Sequence, residues 1–415
     1  MAPSIVIVGA SHAGVQFAAA LRELGHAGAI TLIGKEATLP YQKPPLSKGF
    51  MLGCMSRENL LLRSPTFFES EKIDFRPGVE VLAIDRVAKH ITLNTGEKKN
   101  YDILMLATGA RPHAWPQANL PDGTFTLRSL ADAERLRHAA TTIQGPIVVV
   151  GGGYVSLELA ATWRKEHDRE VTVLNSGSRV LLRSASAELS DLVTACHREQ
   201  GVKILSNQRA TRILSHDTGA VCAVECAGGL NIPAALVVLG TGVLPEQDLA
   251  ESAGLPCDNG ILVDSQCRTE DPVIFAAGDC ANFSSRLTGQ RQRLECVQNA
   301  HDQARVAASV VMGQDTYYTQ VPWFWSDQFD MKIQTAGTLI SSSQCIVRGD
   351  IEMRKCALYH FSSTGSLQAV ETVNMPAEHI HARRLLASVI APTPAQVAEP
   401  TFNPKLFLQN ALACE

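Results

Sequence analysis

Short apolar runs punctuate the chain, and each stops at a cluster of small residues. Ser4-Ile-Val-Ile-Val8 is the first. An uninterrupted run of this kind, without polar alternation, predicts a strand buried on both faces of a parallel sheet. The turn Gly9-Ala-Ser-His-Ala-Gly14 follows, Val15 to Leu24 has helical spacing, and Ala29 to Ile33 supplies the next strand, so the segment predicts a βαβ unit. A second copy begins about 140 residues later: Pro146 to Val150, the turn Gly151-Gly-Gly-Tyr-Val-Ser156, a helix from Leu157 to about Lys165, and a strand from Glu170 to Leu174. Two more apolar strands end in small-residue turns, one at Ala107-Thr-Gly109 and one at Gly278-Asp279. Alternating stretches, Lys332 to Thr338 and Ala357 to Phe361, come near the C-terminus and lead into a polar, Pro-containing tail.

A glycine turn between strand and helix does a defined job. The first glycine permits the tight bend, a small second residue lets backbone approach a pyrophosphate, and a third glycine lets helix pack on strand. Gly9 and Gly14 fill the first and third places of the first copy, with Ser11 between; in the second copy Gly151 and Gly153 are present and Ser156 replaces the third glycine. Two such turns in matching contexts predict two dinucleotide folds. The fold class is α/β, with two Rossmann-like nucleotide-binding domains and an α+β C-terminal domain.

Composition narrows the field. At 415 residues the chain exceeds one core, and with 45% apolar residues but no run of eighteen it packs ordinary cores without crossing a membrane. A net charge of −4 argues against a nucleic-acid partner. Met-Ala-Pro-Ser enters the first strand with no basic segment or cleavage site before it, so a cytoplasmic protein is the expectation. The eleven cysteines form no CxxC and no Cys/His cluster, so neither a metal nor a disulfide framework is expected. Tyr41 to Gly53 has no cysteine and Cys54 stands alone, which excludes a thiol relay of the disulfide-reductase kind. At Gly278-Asp279 the carboxylate can accept a hydrogen bond from a ribityl hydroxyl, which points the first fold toward a flavin.

The strings Pro40-Tyr-Gln-Lys-Pro-Pro-Leu-Ser-Lys48, Ala107-Thr-Gly-Ala-Arg-Pro112, Leu127-Arg-Ser-Leu130, Gly151-Gly-Gly-Tyr-Val-Ser-Leu-Glu158, Asn259-Gly-Ile-Leu-Val-Asp264 and Pro322-Trp-Phe-Trp-Ser-Asp-Gln328 cover nearly the whole chain. Together they resemble the pyridine-nucleotide-dependent ferredoxin reductases of oxygenase systems. The resemblance implies a glutathione-reductase-type layout. Residues 1–113 and 245–322 form a discontinuous FAD domain, 114–244 an inserted NAD(P)H domain, and 323–415 a C-terminal domain completing the flavin cleft. It also implies that FAD is held by Gly9, Ala13, Gly14, Lys48, Val81, Arg128, Asp279, Val297 and Trp325, with Lys43, Ala107 and Gly109 beside them and Gly151 and Gly153 serving the nicotinamide dinucleotide. Lys48 and Glu158 carry the catalysis it implies, Lys48 as a cation near the flavin N5 edge and Glu158 as its partner or as a group orienting the nicotinamide.

The chain departs from this family where an acid usually receives each ribose. Lys35 stands at the first such place, so Glu36 beside it takes over; Asn175 stands at the second, followed by Ser-Gly-Ser-Arg179. A neutral amide does not repel a 2′-phosphate, so NADPH stays open beside the favoured NADH, with Arg179 as a phosphate partner. Lys43, where relatives carry arginine, keeps the charge and loses the fork. The function implied is hydride transfer from NAD(P)H to FAD, then single-electron transfer to a two-iron ferredoxin that serves an oxygenase. The iron-sulfur centre belongs to a separate partner, since this chain has no cysteine set for one. A rubredoxin, a quinone or a small molecule remains open as acceptor. The substitutions Ser11, Lys35, Ser156 and Asn175 also leave open a flavin-binding scaffold with little turnover.

Overall fold

A computed structural model describes residues 2–167, 169–339 and 344–412. The chain divides into two compact units. The first comprises Met1–Gln42, Glu58–Arg111 and Val243–Pro322; the second comprises Lys43–Arg57, Pro112–Gly242 and Trp323–Glu415.

The first unit is built on a five-stranded parallel sheet in the order Ile274–Ala276, Ile103–Leu106, Ile5–Val8, Ile30–Gly34, Ile73–Pro77. The three inner strands are buried on both faces, which is why Ile5–Val8 and Ile103–Leu106 read as unbroken apolar runs and Ile30–Gly34 is broken only by the buried Thr31 before its closing glycine. The helices His12–Glu23 and Val297–Val311 pack along one another, with Phe17, Leu21, Ala304 and Ala308 in the core they share with the sheet. The first helix starts three residues before the spacing predicts. Ser11 is extended (φ −132°, ψ −156°) and serves as N-cap, so small Ala13 and Gly14 already lie in the first turn.

The second unit repeats the pattern with a parallel sheet ordered Lys203–Leu205, Val171–Leu174, Ile147–Val150, Leu236–Leu239, Thr124–Phe125. Its helix Tyr154–His167 also begins earlier than the apolar spacing suggests, directly after the glycine turn. The same unit contains a five-stranded antiparallel sheet ordered Trp323–Gln328, Met331–Gly337, Leu367–Val373, Lys355–Phe361, Gln344–Asp350. The segment read as a polar tail folds instead into the helices Pro376–Ala387, Pro394–Ala398 and Pro404–Leu412. Each begins at a proline, whose missing N–H costs nothing in a first turn; the prolines mark helix starts, not breaks. Among the described residues no helix is long and apolar enough to cross a membrane.

Candidate functional site

In the first unit the glycine turn is tied to its neighbours by backbone alone. Gly9 has φ +111°, and a Cβ there would lie 2.1 Å from the carbonyl oxygen of Ala107; at Gly14 a Cβ would lie 2.0 Å from the oxygen of Gly9. No other residue type fits either place. The helix this turn opens has no side-chain cap hydrogen bond and no acid in its first turn. Gly278, with φ +84°, brings a second strand end to the same point: its Cβ position is 3.2 Å from Ala13 Cβ and 3.6 Å from Ala300 Cβ. Its N–H is fixed by Gln303 Oε1 at 2.8 Å. The helix starting at Val297 lacks a side-chain cap and a first-turn acid as well. Gly9, Ala13, Gly14, Ala107, the half-buried Asp279 and the Val297 turn are therefore brought together around two helix N-termini, a setting that suits a pyrophosphate.

Other residues of this unit frame that setting. The Gly109 carbonyl accepts from the Glu246 N–H at 2.9 Å, and the Thr108 hydroxyl donates to the Glu246 carbonyl at 2.6 Å, which pins the Ala107–Gly109 turn. Glu36 is exposed and its carboxylate accepts from the Tyr41 hydroxyl at 2.6 Å, whereas Lys35 turns aside to Glu80, also at 2.6 Å. Val81 is buried at the start of the strand Val81–Asp85.

The second unit shows how its turn tolerates Ser156. Gly151 (φ +120°) approaches the Gly240 carbonyl as Gly9 approaches that of Ala107; a Cβ would be 2.1 Å from the oxygen. Ser156 is buried, and a Cβ added at Gly240 would stand 2.1 Å from its Oγ. The glycine missing from the helix is thus supplied by the facing strand end. No atom lies within 4 Å of the Cβ position of Gly153, so this part of the turn is open to a ligand's backbone-level approach. Asn175 is buried, donates from Nδ2 to the Gly177 carbonyl at 3.0 Å, and holds Oδ1 beside Gly152. The Arg179 guanidinium, expected to face a phosphate, instead donates to the carbonyls of Ala185 and Ser186, both at 3.0 Å. Its fork thereby ties together the loop that follows the strand.

The charged centre of this unit is Lys48 and Glu158. Pro44–Ser47 makes one tight helical turn, and Lys48 leaves it with Nζ 2.9 Å from Glu158 Oε2 and 3.1 Å from the Pro44 carbonyl. Glu158 is 4% exposed, on the inner face of Tyr154–His167. A buried carboxylate needs compensating donors. It has two besides Lys48: the Ser47 hydroxyl on Oε2 at 2.5 Å and the Ser326 hydroxyl on Oε1 at 2.7 Å. The Thr162 hydroxyl secures the Ser47 carbonyl at 3.0 Å. Lys43 lies with its Nζ 3.4 Å from the Arg128 carbonyl, next to the capping box formed by Ser129 and Asp132. Trp325 is half-buried on the strand that carries Ser326, its ring 5.9 Å from that of Trp323. Residue-type reasoning missed Ser47 and Ser326, although both lie inside the two motif strings richest in proline and tryptophan.

Burial governs several of the thiols. All ten described cysteines are free, and burial raises Cys296 to about 12 and Cys257 to about 11. Burial, with the Glu371 carboxylate, also raises the Tyr154 phenol at the head of the second helix, so it stays protonated. No group of three or more metal-ligating side chains occurs among the described residues.

Two parallel sheets, each opening a helix through a glycine turn, together with a half-buried lysine paired to a buried carboxylate, define a two-dinucleotide oxidoreductase. Residues 3–304 match the pyridine nucleotide-disulphide oxidoreductase family and residues 323–408 the reductase C-terminal domain. Rhodocoxin reductase of Rhodococcus erythropolis is 40% identical over 407 residues, covering 98% of this chain and 94% of the relative. Putidaredoxin reductase of Pseudomonas putida is 37% identical over 415 residues, covering 99% and 98%. The structure of the covalent putidaredoxin reductase–putidaredoxin complex superposes with a TM-score of 0.95 at 35% identity and covers 99% of both chains. The chain belongs to the pyridine nucleotide-disulphide oxidoreductase family, within its group of ferredoxin reductases of oxygenase systems.

Proposed function

We propose that the protein is an FAD-dependent NAD(P)H:ferredoxin reductase, with NADH as favoured donor, that feeds a two-iron ferredoxin and through it an oxygenase. The observation that carries this reading is the coexistence of two glycine turns at uncapped or open helix starts with the pair of half-buried Lys48 and buried Glu158 in the second unit. Bound FAD would accept a two-electron donor and release electrons singly. In the first fold, N–H groups at Ala13, Gly14 and Val297 receive the pyrophosphate and Gly9, whose own N–H is held by the Ile33 carbonyl, allows its close approach, while Asp279 accepts a ribityl hydroxyl and Glu36, held by Tyr41, accepts from the ribose. Val81, Ala107 and Gly109 line that fold's site. In the second fold, Gly151 and Gly153 admit the nicotinamide dinucleotide, and Asn175 meets its ribose as a neutral partner. Lys43, Arg128 and Trp325 complete the cofactor-binding set.

Lys48 supplies a fixed positive charge for the hydride step, and Glu158 orients it; neither needs to exchange a proton. Asn175 leaves a 2′-phosphate unrepelled, but Arg179 is committed to the Ala185 and Ser186 carbonyls, which supports NADH over NADPH. The names of the relatives, and the putidaredoxin complex, support a ferredoxin as acceptor. We assign residues 1–113 and 245–322 to the FAD domain, 114–244 to the nicotinamide domain and 323–415 to the C-terminal domain. The free thiols and the coenzyme substrate support a cytoplasmic site of action.

The test is anaerobic reduction of the FAD-loaded protein by NADH and NADPH in parallel, followed at the flavin's visible band, then addition of a two-iron ferredoxin. NADH should bleach the flavin faster and the ferredoxin should restore the colour. A fully loaded flavin that neither nucleotide reduces would sink the reading.

A further inference from the structure

We propose that Ser326, Gln328 and His197 are positioning residues for Glu158, joined in a one-way hydrogen-bond chain whose every donor points toward that carboxylate. The proposal rests on the reading of Lys48 and Glu158 given above and extends it to three residues that reading does not use.

The chain begins in strand periodicity. Within Trp323–Gln328, Ser326 and Gln328 are two apart and share one face, where they are 0% and 1% exposed, while Asp327 between them faces solvent. Polar residues at fully buried strand positions require partners. Ser326 Oγ is 2.7 Å from Glu158 Oε1, Gln328 Nε2 is 3.0 Å from Ser326 Oγ, and His197 Nε2, from the helix Ala187–Glu199, is 2.8 Å from Gln328 Oε1.

The direction follows from the carboxylate. An ionised carboxylate only accepts, so the single proton of Ser326 goes to Oε1 of Glu158. With that proton committed, Ser326 Oγ accepts, and the group facing it must be the amide nitrogen of Gln328. The amide oxygen then faces His197, which must carry its proton on Nε2. Two features of His197 agree. Its Nδ1 is buried without a hydrogen-bond partner, as a lone pair at the end of a chain would be. Burial also lowers its pKa to about 4, so the ring is neutral near pH 7. The ring sits edge-on to Phe329 with centroids 5.0 Å apart, which holds its plane.

The consequence is geometric. Lys48 and Ser47 both contact Oε2 of Glu158, and without a donor on Oε1 the carboxylate plane would be free to turn. Ser326 fixes that plane, Gln328 fixes the Ser326 rotor, and His197 fixes the Gln328 amide. The Lys48 ammonium is thereby held in one place before substrate arrives, the preorganisation that electrostatic catalysis requires.

The experiment has a spectroscopic and a kinetic arm, both on the FAD-loaded protein. Nitrogen-15 NMR of histidine-labelled protein should show one buried ring protonated on Nε2 and bare on Nδ1, assigned by its loss in His197→Gln. In stopped flow, Ser326→Ala should lower the limiting rate of flavin reduction about tenfold with the NADH Kd unchanged, the size of one hydrogen bond to a charged group. Ser326→Thr should restore it, and Gln328→Leu should lower it about threefold. An Nδ1-protonated His197 would reverse the chain and overturn the proposal. So would a Ser326→Ala protein that melts lower yet reduces at the original rate, which marks a packing role only. Lys48→Gln in parallel separates the layers: if it slows reduction and Ser326→Ala does not, the chain alone fails; if Lys48→Gln changes nothing, the reading of the pair fails with it.

Discussion

Replacing Gly240 with alanine adds one methyl group where the strand Leu236–Leu239 meets the second glycine turn. Gly240 is not at a positive φ, so the backbone accepts alanine and the cost is steric. The new carbon would lie 2.1 Å from Ser156 Oγ, 3.4 Å from Ser156 Cβ and 3.4 Å from the Val150 carbonyl oxygen. Only the first contact is intolerable, and relieving it means turning a buried hydroxyl into another staggered position. Overpacking of this kind costs about 1–3 kcal/mol, and a single rotor places this case near 1–2 kcal/mol. Ser156→Gly alone costs about 0.5 kcal/mol through helix propensity. In the double variant the alanine methyl occupies the volume the hydroxyl leaves, so the clash vanishes and about 0.5 kcal/mol remains. The cycle therefore predicts a favourable coupling of about 1–2 kcal/mol. Urea unfolding of the four proteins measures it, and NADH affinity, expected to weaken in Gly240→Ala and recover in the double variant, reports on the turn itself. Strictly additive losses would refute the idea that Gly240 compensates for Ser156.

Three further perturbations have defined outcomes. Asn175→Asp places a charge at the second ribose position and should widen the NADH over NADPH preference about tenfold in Kd, checked by titration with both coenzymes; no change would mean that the amide does not face the ribose. Lys48→Met removes the ammonium and leaves Glu158 buried with hydroxyl donors only, so the limiting rate of flavin reduction should fall about 10²–10³-fold in stopped flow. His197 and His379 are both pushed down to about 4, chiefly by burial, while unfolded histidine titrates near 6.5. The unfolded chain thus binds protons first as pH falls, and stability is lost from about pH 6.5 toward pH 4, by about 2 kcal/mol per residue at pH 5. Unfolding at pH 7.5 and pH 5 should show this slope, and His197→Gln with His379→Gln should flatten it; identical slopes would count against neutral burial.

Both parallel sheets were legible because a strand covered on two faces cannot hide its composition: Ile5 to Val8 and Ile147 to Val150 have no polar member. Helix starts were less legible, since Ala13, Gly14 and Tyr154 have no apolar period and are helical through what precedes them. The C-terminal helices were misread for a related reason: proline forbids a helix interior and favours a helix start, and composition alone does not say which. Lys48 and Glu158 were found through motif resemblance, not through any local pattern joining positions 110 residues apart. The contacts of Arg179 were not legible, because Ala185 and Ser186, close to it in sequence, present carbonyls to it only in the folded loop. Ser47, Ser326 and Gln328 are ordinary polar residues whose importance comes from burial, and His197 is one polar position of an amphipathic helix.

The strand order of the first unit bears on how the protein is made. Ile274–Ala276 pairs with Ile103–Leu106, and the helix that packs on His12–Glu23 is Val297–Val311. About 170 residues separate the two paired strands, so at a synthesis rate of about 5–20 residues per second the nascent sheet waits roughly 10–30 s for its last member. During that interval Ile103–Leu106, wholly apolar, presents an open edge. The parallel sheet of the second unit, whose members all lie between Thr124 and Leu239, is complete on the ribosome sooner. The domain whose sequence emerges first is thus the one that closes later, and translation past residue 276, not past residue 111, is the point at which its exposed edge stops being an aggregation hazard.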